Sequence, residues 1–160
     1  MDQPKTNKIT DEKVALSKAE NYCAYQERSQ QEVRDKLYEW GLYPKQVENI
    51  IAGLIDSNFL NEERFARAYV TGKFRQKGWG KIKIKLGLKL KKVSEPLIKK
   101  ALNSIDGDDY LKMLAKVIQK KASLVKEKEP YKRRYKLQQY AMSRGYEADL
   151  VAEVLKDNEL

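Results

Sequence analysis

The chain has 160 residues, of which 41% are hydrophobic and 35% charged, with a net charge of +10 and a pI near 9.5. This composition supports a folded core and favours a polyanionic partner: nucleic acid, an acidic membrane or an acidic protein face. Histidine is absent, which removes the commonest general base and metal ligand and every Ser-His or Cys-His nucleophile pair. The single cysteine, Cys23, allows neither an internal disulfide nor a cysteine-based zinc site and fits a reducing cytoplasm.

Signals of catalysis and of membrane insertion are missing from the sequence as well. There is no Walker-type loop, no dinucleotide fingerprint and no acidic cluster among apolar residues. The N-terminus is polar, and no stretch approaches the length of a membrane span. We therefore predict a cytoplasmic, monomeric protein without enzymatic activity, cofactor, metal, membrane contact or small-molecule substrate.

The basic surplus is confined to the C-terminal part of the chain. Residues 1–60 carry 8 basic and 10 acidic side chains, a net charge of −2, whereas residues 61–160 carry 25 and 13, a net charge of +12. The two parts are therefore expected to do different electrostatic work.

Helical signals run through almost the whole chain. Ser29 and Glu32 have the spacing of a capping box, and Gly41 ends the helix that follows. Asn61 is placed to cap another helix. A break is predicted at 106–108, with long helices after it. Further helices are predicted from apolar residues at helical spacing: Leu16, Ala19 and Cys23; Val47, Ile50 and Leu54; Leu97, Ile98 and Ala101; Tyr110, Leu114 and Ile118; Leu137 and Ala141; Val151, Val154 and Leu155.

One segment, residues 81–91, carries a conflicting signal. It alternates between apolar residues and lysine or glycine, which by itself is the pattern of a β-strand. A lone strand in an otherwise helical chain could not satisfy its hydrogen bonds, so we predict a helix. One apolar face of that helix would pack within its unit and the other against a neighbour. These faces are Ile82, Leu86 and Leu90, and Ile84 and Leu88.

An internal repeat supports the helix. Six apolar positions recur at offsets of 51 and then 53 residues: Val33, Leu37, Leu42, Val47, Ile50 and Ile51; Ile84, Leu88, Val93, Ile98, Ala101 and Leu102; Leu137, Ala141, Tyr146, Val151, Val154 and Leu155. Periods of this size are typical of stacked helical arrays. We predict an all-α fold, an elongated array of three tandem three-helix repeats. The predicted boundaries are a disordered lead-in at 1–10 and repeats at 11–60, 61–107 and 108–160.

Two motifs in the second repeat resemble the central signature of the RecX family. They are Asn61-Glu62-Glu63-Arg64-Phe65-Ala66-Arg67 and Lys77-Gly78-Trp79-Gly80-Lys81-Ile82-Lys83-Ile84. Arg28-Ser29 with Glu32, and Arg144-Gly145-Tyr146, resemble the family's first and third repeats. The resemblance covers roughly residues 13–157. It implies a regulator that lies along a RecA–DNA filament and inhibits its ATPase and strand exchange.

The chain departs from the family pattern at four positions. Lys81 stands where proline is usual, Gly87 where an acidic residue is usual, Lys92 where the turn has glycine, and Val33 where leucine is usual. These changes leave the basic character intact. They put in doubt whether the turn of the second repeat has the standard form.

The strongest candidate site is the run from Arg75 to Lys92, which holds eight basic residues and no acid. A solvated lysine-rich face is the plain alternative, but the lack of neutralising acids favours contact with phosphate or with a filament. Trp79 is either a surface anchor or a core residue. The predicted binding residues here are Arg75, Lys77, Trp79, Lys81, Lys83 and Lys85.

A second candidate is Lys132-Arg133-Arg134, flanked by Tyr131 and Tyr135. Arginine interleaved with aromatic residues suits phosphate contact and base stacking, although the tyrosines could instead be core residues. The predicted partners are a RecA filament and single- or double-stranded DNA. The rival function is a general DNA- or RNA-binding helical protein without a recombinase partner.

Overall fold

In a computed structural model of the chain, the described residues are 11–158 and 160; the predicted lead-in at 1–10 lies outside them. The described residues form nine helices and no strand, which confirms the all-α prediction. The helices are α1 Glu12–Tyr25, α2 Gln30–Glu39, α3 Pro44–Asp56, α4 Glu62–Arg75, α5 Lys81–Leu90, α6 Glu95–Leu102, α7 Gly107–Ala122, α8 Pro130–Ser143 and α9 Ala148–Asp157.

The chain forms two compact units. The first extends to Ala66 and includes Lys91–Val93. Its helices α1, α2 and α3 contact one another around a buried core, against which Trp40 packs with part of its surface. Cys23 belongs to that core, and burial raises the pKa of its thiol to about 11, so the thiol is protonated at neutral pH. Arg64 forms an ion pair with Glu27.

Side-chain caps stabilise the starts of several helices, and the caps predicted at Ser29 and Asn61 are confirmed. The Ser29 hydroxyl accepts from the Glu32 backbone N–H at 3.0 Å, and the Glu32 carboxylate accepts from the Ser29 N–H at 3.4 Å. Asn61 accepts from the backbone N–H of Arg64 at 2.9 Å. The prediction of a break at 106–108 was wrong in part: Asp106 caps α7, which begins directly after it, by accepting from the Asp109 N–H.

The second unit contains Arg67–Leu90 and Ser94–Leu160. Helices α7, α8 and α9 contact one another, and α5 contacts α6. On α5, Ile84 and Leu88 are fully buried, as predicted for one of its two apolar faces. The prediction that the other face packs against a neighbour was wrong for the described residues, since Ile82, Leu86 and Leu90 are exposed. Gly87 lies directly beside Tyr69 of α4. A Cβ on Gly87 would be only 2.0 Å from the tyrosine hydroxyl oxygen. A small residue at position 87 therefore lets these two helices approach closely.

The repeat predicted from the offsets is visible in the backbone. Gly41, Lys92 and Gly145 occupy equivalent positions after α2, α5 and α8, and all three have positive φ, at 92°, 59° and 99°. All repeated apolar positions are buried except Leu102, which is half-buried. Lys92 thus has the positive φ that glycine has at the other two positions. The turn after α5 keeps this backbone geometry although lysine replaces the glycine of the family pattern.

That turn yields a test of backbone strain. We expect Lys92→Gly to raise the free energy of unfolding by up to about 1 kcal/mol, since relief of the left-handed conformation outweighs the greater chain entropy of glycine. Urea denaturation measures the change. Lys92→Gln removes the same charge but keeps the side chain at positive φ, so it should leave the free energy of unfolding unchanged. Equal effects of the two substitutions would contradict a strained turn.

Candidate nucleic-acid interface

The predicted basic run begins in a tight corner between α4 and α5. The corner is held by the turn between α8 and α9: the Gly80 N–H donates to the Arg144 carbonyl at 2.8 Å, and the Ile82 N–H donates to the Gly145 carbonyl at 3.0 Å. A Cβ on Gly80 would lie 2.3 Å from the Gly145 carbonyl oxygen, and one on Gly145 would lie 2.4 Å from the Lys83 Cβ. Glycine at both positions is what lets the two backbones meet.

Two buried tyrosines complete the support for this corner. The Tyr146 hydroxyl donates to the Gly78 carbonyl at 2.9 Å.

The Tyr110 hydroxyl accepts from the Lys81 backbone N–H at 3.0 Å and donates to the Glu147 carboxylate at 2.7 Å. Burial raises the pKa of both phenols, so they remain protonated donors at neutral pH. The Arg144 guanidinium also donates to the Lys77 carbonyl. Arg144-Gly145-Tyr146 therefore positions the basic segment.

Trp79 lies at the corner, with two lysines close to its ring. The Nζ atoms of Lys73 and Lys83 lie 4.8 and 4.5 Å from the centroid of the indole ring. The ring is half-buried, so it is neither a free anchor nor a core residue. We name Lys73, Trp79 and Lys83 the Trp79 cluster. Cation–π contact orients the two ammonium groups while leaving them charged, which suits them to phosphate, and the half-exposed indole could contact a base or sugar.

The other predicted residues of the run differ in how they are engaged. Arg75 and Lys77 are exposed, and within the described residues neither has an acidic partner. Lys81 lies over the Tyr110 ring, 4.9 Å from its centroid. Lys85 is 3.8 Å from the Glu95 carboxylate, which Lys89 also approaches, at 3.2 Å. Acidic side chains therefore neutralise little of the positive charge at the corner. They neutralise more of it toward the C-terminal end of α5.

The second predicted set does not join the first. Lys132 lies in the first turn of α8. The corner contacts the opposite end of that helix, roughly 18 Å away at about 1.5 Å per residue. Tyr131 and Tyr135 are 78% and 56% exposed, so the interpretation of them as core residues is wrong. Together with Arg134, Lys156 and Leu155, Tyr131 lines a groove of about 590 Å³.

Arg133 is engaged by its own fold. Its guanidinium donates to the backbone carbonyls of Ala122 at 2.7 Å, Val125 at 3.0 Å and Glu127 at 3.3 Å, and also to that of Leu160. It thereby pairs the carbonyl of Ala122, the last residue of α7, which the helix itself cannot pair, and two carbonyls of the segment that follows. The neighbouring Arg134 is exposed and makes one long contact, 3.4 Å, with the Leu155 carbonyl.

The two arginines should therefore separate stability from binding. We expect Arg133→Met to lower the free energy of unfolding by about 2–3 kcal/mol, since several charge-assisted hydrogen bonds are lost. Arg134→Met should change it by less than about 0.5 kcal/mol and weaken DNA binding instead. Urea denaturation and a DNA titration measure the two effects. Arg134→Met serves as the matched control, and equal destabilisation by both would contradict these roles.

Some members of the site had no local signal in the sequence. Lys73 lies six residues before Trp79, and Tyr110 contacts Lys81 from 29 residues further along the chain. In the sequence, only the family-like Arg144-Gly145-Tyr146 pointed to the part of the third repeat that contacts this corner.

In the part of the chain that the structure describes, no three His, Cys, Asp or Glu side chains come together to hold a metal ion. None of the described helices is long and apolar enough to cross a membrane.

Family models cover each of the three repeats. The models for the first, second and third three-helix domains of RecX match residues 15–54, 61–102 and 108–155. Each matched range covers all or most of three of the helices described above.

Individual relatives agree with the family models. A regulatory protein RecX of Clostridium perfringens is 33% identical over 131 residues, and the alignment covers 81% of this chain and 61% of the relative. One from Clostridium acetobutylicum is 29% identical over 147 residues, 89% of this chain and 68% of the relative. The chain thus spans about three fifths of the length of the first relative. A crystal structure of RecX from Lactobacillus salivarius superposes with a TM-score of 0.83 at 23% identity, covering 91% of this chain and 95% of that one, and so shares the fold.

Fold and site together define a class: an all-α protein of three three-helix repeats, with a basic, aromatic corner in its second repeat. The three family models and the relatives identify the family within this class. The chain belongs to the RecX family of regulatory proteins.

Proposed function

We propose that this protein acts in the cytoplasm as a non-enzymatic regulator that binds a RecA–DNA filament and inhibits its ATPase and strand exchange. The observation that carries the proposal is the Trp79 cluster, which sets two charged lysines and an indole at one corner of a RecX-family fold. Membership of a family of regulatory proteins supports the regulatory role.

The basic charge of the site favours the DNA of the filament as part of the target. Lysine and arginine contacts with phosphate release condensed counterions, so binding draws its affinity from charge and weakens steeply with salt. The basic corner lies in the part of the chain with a net charge of +12, and the three-helix unit before it belongs to the part with −2. Contacts with DNA are therefore assigned to the second and third repeats.

The proposal is tested by one titration with three targets: recombinase filament on single-stranded DNA, the naked single strand, and free recombinase. We expect the filament to bind most tightly, with inhibition of its ATPase rising in step with occupancy. The protein alone should hydrolyse no ATP. Equal affinity for naked DNA and filament, without ATPase inhibition, would favour the rival function of general DNA or RNA binding.

A further inference from the structure

The outward face of α5 carries a line of aliphatic side chains. Ile82, Leu86 and Leu90 are 49%, 58% and 83% exposed and follow one another at intervals of four residues. At a rise of about 1.5 Å per residue the line is roughly 12 Å long. Single exposed leucines, such as Leu124 after α7, are common on protein surfaces; three in a row on one helix indicate an interaction site.

The packing of α5 does not require this line. Ile84 and Leu88, on the opposite face of the helix, are completely buried and already join α5 to its unit. Glutamine at positions 86 and 90 would satisfy the same helix, with nearly equal propensity and less exposed apolar surface. The line of leucines is therefore surplus to the fold, and a partner would give it a physical role.

Charge around the line selects the partner. Lys83 lies on one side of it and Lys85 and Lys89 on the other, and α5 contains no acidic residue. Lys85 and Lys89 share one carboxylate, that of Glu95, so the rim keeps a net positive charge. A second copy of this face would oppose lysine to lysine. DNA phosphate would gain little from leucine, which cannot donate a hydrogen bond. A protein segment with apolar side chains flanked by Asp or Glu matches both the line and its rim.

We propose that the α5 line, defined as Ile82, Leu86 and Leu90, docks an acidic, amphipathic protein segment while the Trp79 cluster binds DNA. The inference rests on the proposed function in one respect: recombinase subunits of the filament would supply the segment. It divides the interface into a protein-binding surface on the exposed face of α5 and a phosphate-binding surface at the corner before it. An amphipathic helix laid along the line is the expected form of the contact.

The division is tested with the double variant Leu86→Gln/Leu90→Gln. We expect its affinity for filament to fall on the order of 100-fold, because two leucine side chains lose their burial against the partner. Its affinity for naked single-stranded DNA and the salt dependence of that binding should stay unchanged. Leu124→Gln, a matched exposed leucine in the same unit, should change neither. Thermal unfolding verifies that all variants fold. An unchanged affinity for filament, or an equal loss on naked DNA, would overturn the division.

A second probe needs no recombinase. A fluorescent synthetic helix with leucine on one face and glutamate on the other should bind the full chain saturably. A version with lysine in place of glutamate should not, and the double variant should bind neither. Absence of binding by the glutamate helix, or equal binding by the double variant, would overturn the docking surface. If the glutamate helix binds and the filament does not, the proposed function fails while the docking surface stands.

Discussion

Replacing Lys81, Lys83 and Lys85 together by glutamine is expected to weaken binding to filament and to naked DNA on the order of 100-fold at low salt, with folding preserved. Each lost phosphate contact removes about one unit from the slope of log affinity against log salt. Lys85 shares Glu95 with Lys89, so the slope should flatten by roughly two to three units, with Lys81 and Lys83 contributing most. Glutamine matches lysine in helix propensity, which protects α5.

The control is the same change at Lys13, Lys18 and Lys36 in the first unit. It removes the same net charge from helices that carry no predicted site, so affinity and salt slope should hardly move. Lys18 lies 5.4 Å from the centroid of the Trp40 ring and Lys36 lies 3.6 Å from Glu39, so thermal unfolding is recorded alongside. If both triple variants lost affinity equally, net charge alone would be responsible; if neither did, apolar contacts would be.

Gly145→Ala is expected to lower the free energy of unfolding by about 3 kcal/mol or more and to abolish DNA binding. The alanine Cβ would sit at a φ of 99°, 2.4 Å from the Lys83 Cβ and 2.6 Å from the Lys83 backbone nitrogen. Neither neighbour is the end of a flexible side chain, so the corner must separate from the turn after α8. Urea denaturation and a DNA titration measure the two effects.

Gly72→Ala provides the matched control in the same unit. Gly72 lies inside α4, and a Cβ there would meet nothing within 4 Å. We expect it to stabilise the protein by up to about 1 kcal/mol, through helix propensity, and to leave binding unchanged. A Gly145→Ala variant as stable as wild type would show that the backbones do not meet as tightly as described.

Much of the local structure was determined by the sequence alone. The capping box at Ser29 and Glu32 uses groups three residues apart, so its geometry follows from the helix itself. The repeat offsets made Ile84 and Leu88 equivalent to Val33 and Leu37, and all four side chains are buried. Residues 81–90 form a helix although their alternating pattern is that of a strand. The backbone of a strand needs a partner strand, whereas a helix satisfies its own hydrogen bonds.

The site was decided by tertiary structure. Lys73 and Lys83 come from two different helices and meet at Trp79, and Tyr110 reaches the start of α5 from 29 residues further along the chain. The backbones also meet at Gly80 and Gly145, which are far apart in the sequence. Arg133 looked in the sequence like its neighbours in a basic run, yet its guanidinium is turned toward carbonyls at the end of α7. Local patterns report the period of a helix and its caps. The partner of a long charged side chain depends on which elements approach it, and that is set by packing across the fold.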